Sequence, residues 1–205
     1  MESWKDVRDL AHRFSKPHFP WPIVTEEMKD AVMKQIDKGF SLEARTKIAT
    51  ELEENLKSYM GMKYGVAVNS GTSAILSMLD GIGIQKGDEV IVPTYTFFAT
   101  ASPLMILGAI PIFADCLLDG NIDPEDIKRK ITSKTKAVVI THQWGIPCEM
   151  DAILEICKEH KLKLLEDCSR AHGAKYKGKK VGTFGLASAF SLQANKILSG
   201  GEMND

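Results

Sequence analysis

An α/β fold, a mostly parallel sheet with helices on both faces, is what this sequence of 205 residues predicts. Two observations carry that reading. From Tyr64 onward, short apolar runs alternate with helical stretches, the order expected of strands joined by crossover helices. The runs are apolar at successive positions rather than at every second one, so both faces of the sheet are expected to be covered. Ligands of such sheets bind beyond the carboxyl ends of the strands, which directs attention to the residues just past each run.

The elements follow in order. Pro17, Pro20 and Pro22 stiffen the backbone and stop helices, so residues 1–22 are expected to form an extended arm and residues 23–205 the body. Thr25 precedes EEMKDAVMKQIDKG, with acids in the first turn and Gly39 at the end, the signature of a capped helix. A second helix is predicted over Thr46–Met60, where Ile48, Leu52, Leu56 and Tyr59 recur at helical spacing. Six strands are predicted, in GVAV near 65, EVIVP near 89, IPIFAD near 110, KAVVITH near 136, LKLLED near 162 and SAFSLQ near 188. Helices are expected in ILSMLDGIG, DPEDIKRKI and MDAILEICKEHK, and a solvated basic hairpin over Lys175–Lys180.

Composition narrows the function. Lys and Arg total 26 against 27 Asp and Glu, with no long basic run, so a nucleic-acid or membrane-surface partner is not expected. Pro103, Gly108 and Pro111 interrupt the longest apolar stretch, which is too short to span a bilayer. The first segment has no apolar run of the secretory kind. Cys116, Cys148, Cys157 and Cys168 form no CxxC pair, and reduced thiols in a cytoplasmic protein are the expectation.

Four strand ends hold candidate chemistry. Asn69-Ser70-Gly71-Thr72-Ser73 opens a helix after a predicted strand, which suits either an anion at the helix N-terminus or a plain cap by Ser70 or Thr72. Phe97 and Phe98 beyond the second strand suit a stacking wall or core. Glu166 and Asp167 end a buried strand, where a carboxylate needs a donor or cation unless it caps the next helix. Lys196, flanked by Ser191, Gln193 and Asn195, is either a surface lysine or an amine poised to condense with a carbonyl. Together, a phosphate cradle, an aromatic face, an acid and a lysine are the parts that hold pyridoxal phosphate. No GxGxxG, GxSxG or HExxH competes with them.

The motifs KYGVAVNSGTSAI, GDEVIVPTYTFFATASP, GAIPIFADC, NIDPEDI, ITHQWGIPCEMD, LLEDCSRAHGAKYKGKKVGTFG and FSLQANKILSGGE run from about Trp21 to Glu202. In this order they resemble the DegT/DnrJ/EryC1/StrS sugar aminotransferase family. The resemblance implies the type I pyridoxal-phosphate (aspartate aminotransferase-like) fold and a homodimer. It implies Lys196 as the residue that forms the aldimine and shuttles a proton, and Asp167 as partner of the pyridinium nitrogen. Phe97 would stack on the ring, and Thr72, Ser73 and Ser191 would hold the phosphate; Asn195 and Gln193 flank the lysine. The implied reaction moves an amino group from an amino acid, glutamate or glutamine, to a keto sugar, commonly nucleotide-linked. Lys196 argues against the dehydratase branch, which has histidine there.

Three departures from the pattern are present. Arg170 stands where His or Gln is usual, near the cofactor's 3′-oxygen. Leu186 replaces an acid that anchors the loop before the last strand. After Glu202 the motif does not continue, so an interrupted sheet without one interior strand and without a small C-terminal domain is expected. Weak activity, or an inert fragment that associates or is poorly soluble, is the corresponding expectation.

Overall fold

A computed structural model describes residues 21–39 and 47–200. The expected arm, residues 1–22, and the chain end at 201–205 lie almost wholly outside these residues. The chain divides into two units, 1–46 and 47–205.

In the first unit, helix α1 spans Glu26–Lys38. Thr25 Oγ1 accepts the Met28 N–H at 3.2 Å, Glu26 and Glu27 complement the positive end of the helix, and Gly39 (φ 86°) stops it, as the sequence predicts.

The second unit opens with α2 (Ile48–Met60) and α3 (Gly71–Gly81), followed by β1 (Glu89–Pro93), α4 (Ser102–Ile106), β2 (Ile110–Ala114), α5 (Pro124–Lys130), β3 (Thr135–Thr141), α6 (Met150–Glu159) and β4 (Lys163–Asp167). A short hairpin of β5 (Lys175–Tyr176) and β6 (Lys179–Lys180) precedes β7 (Ala187–Ala189). The main sheet is wholly parallel, in the order β2-β1-β3-β4-β7.

The pleat explains why the strands read as continuous apolar runs. Val90 and Val92 of β1, Ala137 and Val139 of β3, and Leu165 of β4 point to one face, where Ile75, Met78 and Leu79 of α3 and Leu104 of α4 cover them. Ile91, Val138, Ile140 and Leu164 point to the other, against Ile127 of α5 and Met150, Ile153 and Ile156 of α6. Two-sided burial at about 25 cal/mol per Å² of apolar surface makes these alternating positions the main stabilising term of the unit.

The order reverses at β1: the chain steps from β1 to β2 on one side, then crosses back over β1 to β3 on the other. The carboxyl ends of β1 and β3 thus flank a topological switch point, where open α/β sheets leave a crevice.

One predicted strand is corrected. Residues 64–69 form no strand, because a strand exists only where a neighbour completes its ladder, and no described strand pairs with this segment. Instead the Ala67 N–H donates to Glu53 Oε1 at 2.8 Å, while Tyr64 and Val66 lie exposed.

The predicted hairpin is present, and three of its four lysines are engaged. Lys177 pairs with Asp151, the Lys179 ammonium lies 4.3 Å from the Phe184 ring centroid, and that of Lys180 lies 3.8 Å from the Tyr59 ring. These contacts tie the hairpin to its neighbours through cation–π and ionic attraction.

Candidate active site

The site is built where the sheet's carboxyl ends meet the first turn of α3. Ser70 caps α3: its Oγ accepts the Ser73 N–H at 3.1 Å and lies 3.0 Å from the Ser73 Oγ. The cap reading of this segment therefore holds, yet it uses one donor of the turn. The N–H groups of Gly71 and Thr72, the first two helical positions, have no intrahelical acceptor, so the positive end of α3 remains available to an anion. Gly71 allows a close approach there. A Cβ at this position would stand 3.0 Å from Ser191 Cβ and 3.4 Å from Ser191 Oγ, so the helix start and the Ser191 hydroxyl share one small space. Thr72 and Ser73, in the first turn of α3, thus follow directly on the residue that packs against Ser191.

Asp167, 4% exposed, ends β4. Its Oδ2 accepts from Thr100 Oγ1 at 2.8 Å and its Oδ1 from the Ser169 N–H at 3.0 Å. Thr100 belongs to a hydroxyl cluster drawn from the ends of β1 and β3, with Thr96 Oγ1 at 2.7 Å and Thr141 Oγ1 at 3.5 Å. Two donors thus meet the oxygens of this buried carboxylate. Sequence reasoning missed Thr96, Thr100 and Thr141; threonines at or just past the ends of two strands, β1 and β3, are the signal they carry, and strand pairing is what assembles them.

Lys196 follows β7 through Ser191, Gln193 and Asn195. The Gln193 N–H faces Ser191 Oγ at 3.4 Å, the Asn195 N–H donates to Gln193 Oε1 at 2.9 Å, and the Lys196 N–H to Gln193 O at 2.8 Å. Gln193 and Asn195 therefore shape the turn that carries the lysine. Partial burial lowers the Lys196 pKa, the positive charge of Arg170 lowers it further, and Asp167 opposes both.

Phe97 is 60% exposed, with its ring centroid 4.3 Å from that of Phe98. Its backbone carbonyl accepts the Thr100 N–H, so the same short turn sets both the aromatic and the threonine that holds Asp167. Arg170 is exposed and lies over Trp144, its guanidinium carbon 4.7 Å from the ring centroid.

The neighbouring carboxylate has a different role. Glu166 is wholly buried and accepts from His142 Nε2 (3.1 Å) and from the N–H groups of Gly182, Phe184 and Gly185 (2.7, 2.7 and 2.6 Å). Burial pulls its pKa up, but the His142 and backbone donors outweigh it and the net shift is downward. His142 Nδ1 accepts the Cys148 N–H, so its proton sits on Nε2, facing Glu166. Glu166 thereby anchors the loop that leads to β7, the task expected to be lost with an acid at position 186. Leu186 itself is exposed and bonded through its backbone to Leu164 O. His142, Glu166 and Cys168 are close enough to share an ion, yet the first two have their acceptors filled by these bonds, which marks a structural pair.

The donor set suits pyridoxal phosphate: a helix start and hydroxyls for a phosphate, a buried acid for a pyridinium, an exposed aromatic face, and an amine whose pKa is lowered.

Comparison with known proteins agrees. Residues 22–203 match the model of the DegT/DnrJ/EryC1/StrS aminotransferase family. GDP-perosamine synthase of Vibrio cholerae is 40% identical over 170 residues, which cover 82% of this chain and 46% of that protein. The structure of an aminotransferase from Psychrobacter cryohalolentis superposes with a TM-score of 0.84 at 38% identity, over 91% of this chain and 48% of that one. Escherichia coli GDP-4-keto-6-deoxy-D-mannose-3-dehydratase, solved with hydrated pyridoxal phosphate bound, gives 0.80 at 30% identity over 88% and 49%. The chain spans about half the length of the curated relatives it matches. Its fold is that of the pyridoxal-phosphate-dependent aminotransferases, and the chain belongs to the DegT/DnrJ/EryC1/StrS aminotransferase family.

Proposed function

We propose that this chain forms the cofactor-binding part of an aminotransferase that moves an amino group from glutamate or glutamine to a nucleotide-linked keto sugar, with pyridoxal phosphate as cofactor. The observation that carries the reading is the convergence, at the carboxyl ends of one parallel sheet, of the α3 start with Ser191, the Thr100–Asp167 bond and Lys196. Relatives named for GDP-linked sugars support the acceptor class.

When bound, the cofactor supplies an electron sink next to the amino-bearing carbon. The residues supply the rest. Thr72, Ser73 and Ser191, with the free N–H groups of the α3 start, bind a dianionic phosphate through the helix dipole and hydroxyl donors. Asp167, oriented by Thr100 and Ser169, accepts from a protonated ring nitrogen. Phe97 offers its exposed face to the ring. Lys196 Nζ takes up and returns a proton at the substrate carbon, and its partial burial keeps it a base. Gln193 and Asn195 hold the turn beneath it.

A homodimer is proposed as the working form, supported by the exposure of Tyr95, Phe97, Phe98 and Trp144 around the site. A cytoplasmic location is supported by four free cysteines. No helix among the described residues is long and apolar enough to cross a membrane.

The test is to add pyridoxal phosphate to the purified chain, reduce with borohydride and map the pyridoxyl group by peptide mass spectrometry. Labelling of Lys196, absent in Lys196→Ala, is expected. A chain that stays unlabelled refutes the cofactor assignment. Amine transfer from glutamate to a nucleotide keto sugar then separates an enzyme from an inert unit.

A further inference from the structure

Three threonine hydroxyls stand behind Asp167, and the supply of protons gives their hydrogen bonds a direction. A hydroxyl donates one proton and accepts through two lone pairs. Thr100 Oγ1 donates its proton to Asp167 Oδ2 at 2.8 Å, so in its other contacts Thr100 accepts. Its nearest neighbour, Thr96 Oγ1 at 2.7 Å, is then the donor to it. Thr96 has no second proton, so the 3.1 Å bond between Thr96 and Thr141 is made by the Thr141 hydroxyl. The Thr100–Thr141 contact, at 3.5 Å, is the longest of the three. The bonds therefore run one way, from Thr141 to Thr96 to Thr100 to Asp167.

This series is closed and rigidly mounted. Among the described residues the three hydroxyls have no other hydrogen-bond partner. Thr100 and Thr141 are buried, which leaves little room for water to replace a missing link. Thr141 pairs in register with Asp167 across β3 and β4, while Thr96 and Thr100 belong to the turn that leaves β1. The two oxygens of Asp167 are thus held differently. Oδ1 accepts from Ser169 N–H, two residues on in the same turn, whereas Oδ2 depends on the hydroxyls of two other strand ends. Hydrogen bonds arranged head to tail polarise one another, so each outer hydroxyl strengthens the bond that the next one donates.

We propose that Thr96 and Thr141 are positioning residues that act on Asp167 through Thr100, so that the orientation of the site's buried acid is set by two hydroxyls that are not bonded to it. The importance of this for the cofactor rests on Asp167 facing its ring nitrogen, as proposed above; the directed series itself stands on the hydrogen bonds alone.

The experiment uses the full chain without cofactor, labelled with carbon-13 at the aspartate side-chain carboxyl carbon and observed by nuclear magnetic resonance at one neutral pH. The Asp167 resonance is assigned by its loss in Asp167→Asn. Thr100→Val is expected to move it most. Thr96→Val and Thr141→Val are expected to move it in the same direction by less, and Thr96→Ser and Thr141→Ser, which keep the hydroxyl, to leave it near the parent position. In a Thr100→Val background the two outer substitutions are expected to lose most of their effect, because the link is already cut. A purely structural role predicts no such order. The proposal is overturned if Thr96→Val and Thr141→Val, with parental circular dichroism, leave the resonance unmoved, or if they move it equally with and without Thr100. An absorbance titration with pyridoxal phosphate supplies the second readout. Affinity is expected to fall about two- to tenfold in Thr100→Val, the worth of one hydrogen bond, and by less in Thr96→Val and Thr141→Val. A parent chain that binds no cofactor refutes the cofactor assignment, while the Asp167 resonance still decides the hydroxyl series, so the two proposals fail separately.

Discussion

Replacing Glu166 by Gln changes one atom of a wholly buried side chain, and the structure sets its cost. Four donors converge on the carboxylate: His142 Nε2 and the N–H groups of Gly182, Phe184 and Gly185. A glutamine oxygen can keep the two at Oε1, Phe184 and Gly185. Its amide nitrogen then faces the two at Oε2, His142 and Gly182, donor against donor. His142 cannot relieve the clash by moving its proton to Nδ1, because that atom already accepts from Cys148 N–H. Two charge-assisted bonds worth about 1.5–3 kcal/mol each are lost, so a destabilisation of about 3–6 kcal/mol is expected, a large share of a total of about 5–15 kcal/mol.

Urea unfolding of parent and variant, followed by far-ultraviolet circular dichroism, measures the loss. Native-state hydrogen exchange at Gly182, Phe184 and Gly185 locates it. The pH dependence supplies a second check. Because the folded pKa of Glu166 lies below its ordinary value of 4.5, its contribution is fully present above that value and disappears as the pH falls through the lower native value. The stability gap between parent and variant is therefore expected to narrow with acid. A loss below about 1 kcal/mol at neutral pH, or a gap that widens on acidification, would refute the account of Glu166 as the anchor of the loop into β7.

Three further outcomes are expected. Thr100→Val keeps the shape of the side chain but removes the donor to Asp167, and a loss of about 1–3 kcal/mol in chemical denaturation is expected, with weaker pyridoxal phosphate binding in an absorbance titration. Gly182→Ala places a methyl 2.7 Å from Phe190 Cζ at φ 85°, where an L side chain is strained; a loss above about 2 kcal/mol is expected, and a neutral result in calorimetry counts against the packing of this loop. Burial pushes the Cys157 thiol up to about 11 and those of Cys148 and Cys168 upward as well, so a disulfide reagent should modify half-buried Cys116 first and the other three only on unfolding. Rapid native labelling of Cys168, read by peptide mapping, contradicts that.

Much of the sheet was legible because the cause is local. Two-sided burial writes itself into β1 and β3 as unbroken apolar runs, and Thr25 with Gly39 marks both ends of α1 through backbone donors that only nearby residues can satisfy. The segment at 64–69 misled for the complementary reason. Its composition is that of a strand, but a strand is a relation between two segments, and no described neighbour completes it. The adjacent acids Glu166 and Asp167 show the same limit. The sequence places both at the end of a buried strand, while their opposite directions across the pleat send one to a structural loop and the other to the site.

What the sequence alone determined is the class of sheet, the helix ends and the residue types at the strand ends, since periodicity and capping depend on a few neighbouring side chains. Only the tertiary structure decided which strand ends meet. Thr100 reaches Asp167, and Thr96 and Thr141 reach Thr100, because β1, β3 and β4 lie side by side, and Trp144 meets Arg170 because the turns after β3 and β4 pack together. Those contacts join residues up to 67 positions apart. Their geometry follows from strand order and register, which are set by the burial of the whole sheet rather than by any one segment.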